Sequence, residues 1–346
     1  MRHPYRIREI AQQAGLSEAT VDRVLHGRLG VRPSTVDEVQ RAIADLDRQR
    51  SQLRLSGRTF MVDLVMQAPE RFSTAVRAAL ERELPALRPA VVRSRFHLEE
   101  ESEPERVAGT LAAIGRRGSH GVLLKAPNAR PVVDAVDALA EQGIPAVTLF
   151  TDVPHSRRVA YVGIDNLAAG ATAAYLLTRW SPRGGTVLVT VSSSTFWGED
   201  ERETGFRSTL QQMTPAREVR EVTDTGGLDE AMMTAVSNVL AEDLSIDAVY
   251  SVGGGNVATL RAFERAGRTP DAFIAHDLDG DNLGLLRQQR ISAVLHHDLH
   301  GDMRRACRLV MQAHGVLPGA PDSRPSQVQV VTPFNQPAGL TDSLVE

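Results

Sequence analysis

Within seven residues the chain places Ser17, Glu18, Ala19, Thr20 and Arg23. Side chains of these types can meet nucleic acid. An arginine fork matches guanine O6 and N7, a carboxylate accepts from cytosine N4, and an alanine methyl fits against the thymine methyl. The hydroxyls of Ser17 and Thr20 suit phosphates, which set register without reading sequence. To act together these groups must share the exposed edge of a helix.

The surrounding pattern supplies that helix. Ile7, Ile10 and Ala11 repeat at helical spacing, and Ala14-Gly15-Leu16 interrupts them. Ser17 stands at an N-cap position, where its oxygen can accept from an orphan N–H of the first turn. Residues 18–25 then run on as a second helix, with Val21, Val24 and Leu25 inward and Glu18, Ala19, Asp22 and Arg23 outward. Two helices about a glycine-containing turn form a helix-turn-helix, whose second helix fits the major groove. A helical hairpin within a larger core has the same period and is the alternative. Pro33 starts a third helix over residues 32–47, with Val36, Val39, Ile43 and Leu46 as its buried stripe.

The stretch from Ile7 to Leu25, I-x-x-I-A-x-x-A-G-L-S-x-x-T-V-x-R-V-L, is followed by V-x-x-x-T from Val31 to Thr35. It resembles the headpiece of the LacI/GalR family of bacterial transcription regulators. The resemblance implies operator DNA as a partner. Arg23 falls at the family's matching arginine, and Glu18 and Ala19 fall at positions that vary between members. Arg32 and Thr35 belong to the same implied surface. It also implies a hinge helix that wedges a leucine into the minor groove, and Leu55 fits that place best. The family's Pro-Asn before the hinge is absent here and the connection is shorter. A plain basic linker is therefore the alternative for residues 48–58.

Charge follows this division. Residues 1–58 hold eleven arginines against seven acids, net +4; the remainder holds 28 basic and 36 acidic side chains, net −8. A basic arm on an acidic body suits polyanion binding that weakens with salt. Cys307 is the only cysteine, so no internal disulfide and no cysteine-based zinc site can form. No apolar run is long enough to span a bilayer, and the N-terminus lacks a signal-peptide core. A cytoplasmic protein with no membrane partner is expected.

From Thr59 onward short apolar runs alternate with helical patterns. Candidate strands are 60–66, 91–97, 121–124, 146–149, 160–164, 186–191, 248–252, 272–275, 292–295 and 327–331. Strand-helix alternation predicts parallel sheets with helices on both faces, and so many strands suggest two sheets. The resemblance implies a periplasmic-binding-protein-like body of two doubly wound lobes. The expected organisation is a headpiece at 1–47, a hinge at 48–58 and an effector-binding domain at 59–346. Its first lobe takes about 59–163 and 297–318, its second about 164–296 and 319–346.

In such a body the ligand lies between the lobes at strand carboxyl ends. The resemblance implies a sugar, polyol or sugar phosphate, which needs carboxylates, amides, an arginine fork and aromatic faces. Asp165 follows a strand in I-D-N-x-x-A-G, with an N-cap as its alternative role. Arg202 lies in R-x-x-G-F, a spacing whose arginine bonds ligand hydroxyls in the family. Phe196 and Trp197 precede it, and Phe72 and Asn128 follow first-lobe strands. Asn256 keeps one amide of the family's Asn-Asp, Asp277 stands at a ligand-contacting aspartate, and His297 ends a strand at an expected crossing. Gln67 and the only lysine, Lys125, are further strand-end residues.

No cofactor and no metal are expected. Ser251–Asn256 lacks the Lys-Ser/Thr of a phosphate loop and the full dinucleotide fingerprint, and His276, His296 and His297 lack metal-ligand spacing. No nucleophile elbow supports an enzyme. The expected function is a DNA-binding regulator, a repressor acting as a homodimer or tetramer under a small-molecule effector. A transport receptor and an enzyme with an accessory helical segment are the competing classes.

Overall fold

The computed structural model describes residues 4–28 and 30–337. Its first three helices are α1 (Ile7–Ala14), α2 (Glu18–Leu25) and α3 (Pro33–Leu55). Gly15 adopts φ 67°, the left-handed conformation that lets the chain leave α1 and re-enter α2 within three residues. Ser17 caps α2 by accepting from the Thr20 N–H at 3.2 Å, and its hydroxyl also meets the Thr20 hydroxyl at 2.8 Å. Ile10, Ala11, Val21, Val39 and Ala42 form the headpiece core.

The expected break after residue 47 does not occur. α3 continues through the basic stretch as one helix of 23 residues, because nothing between Arg48 and Leu55 is a glycine or proline that would stop it. Leu55 is only 6% exposed and packs into the first lobe's core, whereas Leu53 is 78% exposed. In this arrangement the Leu55 side chain lies in the protein interior, so acting as a minor-groove wedge would require it to leave that core.

The body begins with β1 (Thr59–Gln67), α4 (Glu70–Glu83), a 3₁₀ turn at Leu84–Leu87, β2 (Val91–Glu99), α5 (Pro104–Arg117), β3 (Gly121–Lys125), α6 (Arg130–Glu141), β4 (Ala146–Leu149) and β5 (Ala160–Val162). These strands form a parallel sheet in the order β2-β1-β3-β4-β5. There follow α7 (Asn166–Trp180), β6 (Thr186–Thr190), α8 (Trp197–Met213), β7 (Val219–Val222), α9 (Asp229–Glu242), β8 (Ile246–Ser251), α10 (Asn256–Arg265), β9 (Ala272–His276), α11 (Gly280–Arg287), β10 (Ala293–His296), α12 (Leu299–Ala313) and β11 (Gln329–Val331). The second sheet has the order β11-β10-β9-β8-β6-β7. It is parallel except for β11, which pairs antiparallel with β10.

Each sheet is covered on both faces, so its strands read as apolar runs. In the first lobe Leu64, Val76, Leu80, Leu123 and Val310 pack on one side, and Val65, Leu111, Val122, Val132 and Val136 on the other. In the second lobe the corresponding sets are Leu188, Val236, Val249, Phe263 and Leu286, and Ala173, Leu177, Val189, Phe206 and Ile274. Burying each valine, leucine, isoleucine or phenylalanine among these contributes about 1.5–3 kcal/mol. The edge strand β7 escaped the sequence pattern because Arg220 and Glu221 are exposed and only Val222 is buried.

The chain passes between the sheets at residues 163–165, 297–298 and 323–327. Ser326 ties these passages together: its N–H donates to the Gly163 carbonyl at 2.7 Å, and its hydroxyl donates to Asp302, which also binds His297.

Candidate functional site

Six strands end on one cleft between the lobes, as open parallel sheets arrange their sites. β1 delivers Gln67, β3 Lys125, β4 Phe150 and Thr151, β6 Ser192 and Ser193, β8 Val252 and Gly253, and β9 His276 and Asp277. The cavity measures about 340 Å³, within the size range of small-ligand sites. Among the described residues four non-glycine residues have positive φ, and three of them, Phe150 (63°), Asp224 (57°) and Asp277 (62°), line this cavity. Backbone strain of this kind, of order 1–3 kcal/mol each, gathers at functional sites.

Arg202 is the best-held group. α7 and α8 approach so closely that a Cβ on Gly170 would lie 1.9 Å from the Arg202 carbonyl oxygen, and one on Gly205 2.1 Å from that of Leu167. The two glycine phrases singled out in the sequence are thus packing devices that bring Arg202 to the cleft. Its Nε donates to Asn166 Oδ1 at 2.8 Å, its Nη1 donates to the Val252 carbonyl at 3.2 Å, and Nη1 lies 3.8 Å from Asp277 Oδ2.

Behind Asp277 stands His297, with Nε2 3.4 Å from Asp277 Oδ1 and Nδ1 2.5 Å from Asp302 Oδ2. Burial alone would lower the imidazole; the two carboxylates outweigh it and push His297 up to about 9, so it is a buried cation. Burial would likewise raise the Asp277 carboxyl, but His297 and Arg202 hold it well below the usual carboxylate range. His276 is driven down by burial and stays neutral, with Nε2 2.8 Å from the Tyr250 hydroxyl. Burial also brings the Lys125 ammonium down to about 8 and the Asp279 carboxyl up to about 6.

Phe72, Phe150 and Phe196 give the cavity apolar faces. The Phe72 and Phe150 rings meet edge-on at 5.3 Å, and the Lys125 ammonium lies 3.9 Å from the centre of the Phe196 ring. Gln67 Oε1, His276 Nδ1 and Asp277 Oδ1 are buried there without a hydrogen-bond partner. Buried polar atoms left open in this way call for a ligand or water.

Of the sequence candidates, Gln67, Phe72, Lys125, Phe196, Arg202 and Asp277 line the cavity. The others stand elsewhere. Asp165 caps α7 by accepting from the Ala168 N–H at 2.9 Å. Trp197 opens α8 and lies edge-on to His155. Asn128 meets the second lobe through its backbone N–H, which donates to the Thr195 carbonyl at 2.9 Å. Asn256 donates to Asn282 Oδ1 at 2.6 Å, and Asn282 is the amide that lines the cavity. His297 touches Asp277 from behind. Sequence reading missed Arg71, Phe150, Thr151, Ser192, Glu199, Asp279 and Asn282. Phe150 and Thr151 directly follow a strand that was recognised, so the strand-end rule applied consistently reaches them.

Arg71 joins the lobes at the mouth. From α4 its Nη2 donates to the Gly227 carbonyl at 2.8 Å, and its Nε lies 3.2 Å from Asp279 Oδ2. Thr151 Oγ1 accepts from the Gly198 N–H at 2.9 Å, a further bond between the lobes.

On the headpiece, Ser17, Glu18, Ala19, Arg23 and Arg32 are exposed, while Thr20 and Thr35 are half-buried. The outward edge of α2 is therefore open, with the Ser17 and Thr20 hydroxyls already engaged in the cap. Among the described residues no group of three or more His, Cys, Asp or Glu could hold a metal ion, and no helix is long and apolar enough to cross a membrane.

Two family profiles match the chain: bacterial regulatory proteins, lacI family, over residues 6–50, and a periplasmic binding protein domain over residues 67–315. No curated protein matches it significantly. Among solved structures it is similar to an ABC transporter solute binding protein from Agrobacterium vitis bound with alpha-D-tagatopyranose, at 16% identity and TM-score 0.72 over 83% of this chain and 99% of that one. A glucose-galactose binding protein from Geobacillus stearothermophilus aligns at 18% identity and TM-score 0.70 over 81% and 99%. A solute binding protein from Burkholderia graminis in complex with D-arabinose aligns at 19% and 0.71 over 81% and 97%. At these identities the likeness concerns the fold.

Proposed function

Because the chain belongs to the lacI family of bacterial regulatory proteins, with a periplasmic binding protein domain behind its helix-turn-helix, we propose that it is a repressor whose hold on operator DNA is set by a sugar-like or polyol effector. The observation that carries this reading is the cleft's mixture of groups. Lys125 and Arg202 can only donate, Asp277 lines the cavity as a carboxylate acceptor, Gln67 Oε1 stands open as an acceptor, and three phenylalanine rings offer apolar faces. Hydroxyls on a carbon ring both donate and accept, and their C–H faces suit aromatic rings. The solved structures bound to tagatose and arabinose support the same class.

The regulator acts as a homodimer in this reading, its two headpieces spaced for half-sites one helical turn apart. Effector in the cleft favours one lobe arrangement and shifts the headpieces. The shift requires that the two arrangements bind effector with different affinity. Glu18, Ala19 and Arg23 face the bases, and Ser17, Thr20, Arg32 and Thr35 face phosphates.

A thermal-shift screen of sugars, polyols and sugar phosphates tests the reading, since a ligand that binds only the folded state raises the melting temperature. A hit must also change retardation of DNA from upstream of the protein's own gene. Stabilisation without any effect on DNA binding would refute effector control.

A further inference from the structure

We infer that the effector is a polyhydroxylated monocarboxylate, a sugar acid, whose carboxylate is held by Lys125. This rests on the sugar-like reading of the cleft and narrows it. Lys125 is the only lysine in the chain. It ends β3, lines the cavity and keeps part of its surface open to it while protein crowds it from behind. Its contacts are two: Nζ donates to the Gln67 carbonyl at 2.9 Å, and it sits over the Phe196 ring. No carboxylate of the described residues reaches ion-pair distance from it.

The other buried charges that line or back the cleft each have a contact of their own. Arg202 faces Asp277, His297 lies between Asp277 and Asp302, and Arg71 meets Asp279. Glu199 accepts from the Ser192 N–H at 2.7 Å and its hydroxyl at 2.5 Å. The Lys125 ammonium keeps N–H groups beyond the one that the Gln67 carbonyl accepts and has no carboxylate of the described residues at ion-pair distance, and a buried charge without an opposite charge is costly unless a ligand supplies one. A ligand carboxylate completes it as a charge-assisted pair.

One ammonium matches one negative charge. A phosphate ester brings more, and meets Glu199 inside and Glu100, Glu101, Glu103 and Asp224, which line the cavity as exposed carboxylates. That acidic rim repels a second anionic group on the outward end of the ligand, so the hydroxylated end faces the mouth. The remaining open acceptor, Gln67 Oε1, suits a ligand hydroxyl and not a second carboxylate.

The test is calorimetry on the full-length protein with matched series: D-glucose, D-gluconate, D-glucuronate and D-glucose 6-phosphate, and the corresponding galacto, manno and arabino compounds. A carboxylate member should bind at least tenfold tighter than its neutral and phosphorylated counterparts, and Lys125→Met should erase that preference while leaving weak neutral binding in place. Equal or tighter binding of a neutral sugar or a phosphate, or an unchanged preference in Lys125→Met, overturns the inference and leaves the sugar-like reading standing. No binding by any member overturns both. Should Lys125→Met fail to fold, amine acylation of the wild type gives the same answer, because Lys125 is its only side-chain amine. Gluconate or glucuronate, or the binding epimer, should protect it from labelling, and undiminished labelling at saturating carboxylate refutes the contact.

Discussion

Arg71 offers the sharpest perturbation of the cleft. Its guanidinium leaves α4 on the first lobe and ends on two groups of the second, the Gly227 carbonyl and the Asp279 carboxylate. The side chains are 22% and 7% exposed, so solvent screens the pair in part. A hydrogen bond from a charged donor contributes about 1.5–3 kcal/mol, and a partly screened ion pair adds less than 1 kcal/mol. Arg71→Ala should therefore shift the balance between closed and open lobes by about 2 kcal/mol, roughly thirtyfold. Effector affinity falls by up to the same factor where only the closed form binds, the full amount being reached when the closed form is the minor one. The buried Asp279, already pushed up to about 6, rises further without its partner and takes up a proton near neutrality. Arg71→Ala/Asp279→Asn should consequently behave like Arg71→Ala alone, with a coupling of 0.5 kcal/mol or more in the double-mutant cycle. Small-angle scattering of the unliganded proteins reads the opening, and titration with a ligand from the thermal-shift screen reads the affinity. Additive effects of the two substitutions, or an unchanged scattering profile in Arg71→Ala, would refute the claim that this contact holds the lobes together.

Three further outcomes can be checked. His297 is raised from 6.5 to about 9, so the stability it contributes is complete below pH 6.5 and is lost as pH rises through 9; thermal denaturation between pH 6 and 9.5 should show that loss, and His297→Gln should flatten it. Leu55→Ala should cost about 2–5 kcal/mol of stability as a core truncation, and exposed Leu53→Ala under about 0.5 kcal/mol; a Leu55→Ala protein of normal stability that fails only in DNA binding would return Leu55 to the minor groove. Arg23→Ala should lower affinity for the selected operator by about 1–3 kcal/mol and relax one base pair per half-site, while Thr20→Ala weakens all sequences nearly equally; identical consensus sequences selected by wild type and Arg23→Ala from random DNA would show that Arg23 reads no base.

The two-lobed fold was legible because parallel strands buried on both faces are continuous apolar runs, and the helix-turn-helix because its glycine and its Ser17 cap fall at fixed offsets. Arg202 was legible through the family's R-x-x-G-F phrase, and Asp277 through its place after a strand at the family's ligand-contacting aspartate. Depth was not. Asp165 and Asp277 both follow strands, yet one caps a helix and the other lines the cleft. Asn256 and His297 carry suitable groups but stand one residue behind the surface, backing Asn282 and Asp277. Spacing along the chain does not record which of two adjacent polar residues turns inward. Arg71, Asp279 and Glu199 were missed because they enter the cleft from helices and helix-capping turns, which look in sequence like solvated polar faces. The packing of Leu55 was not legible because an apolar residue in a basic helix looks the same whether it faces DNA or protein.

The unbroken α3 turns the connection between cleft and DNA into a problem of leverage. At 1.5 Å per residue its 23 residues span about 34 Å. Its far end is one wall of the headpiece core, and its near end is pinned by Leu55 in the first lobe. A rod of that length converts a rotation of about 5° in the lobe into a displacement of about 3 Å at the headpiece, close to the spacing of one base-pair step. In a dimer the two arms swing in opposite senses, so the misfit at the operator doubles. Stiffness supplies the amplification, and a single glycine or proline placed between Arg48 and Leu53 would dissipate it, leaving both ends intact and uncoupled.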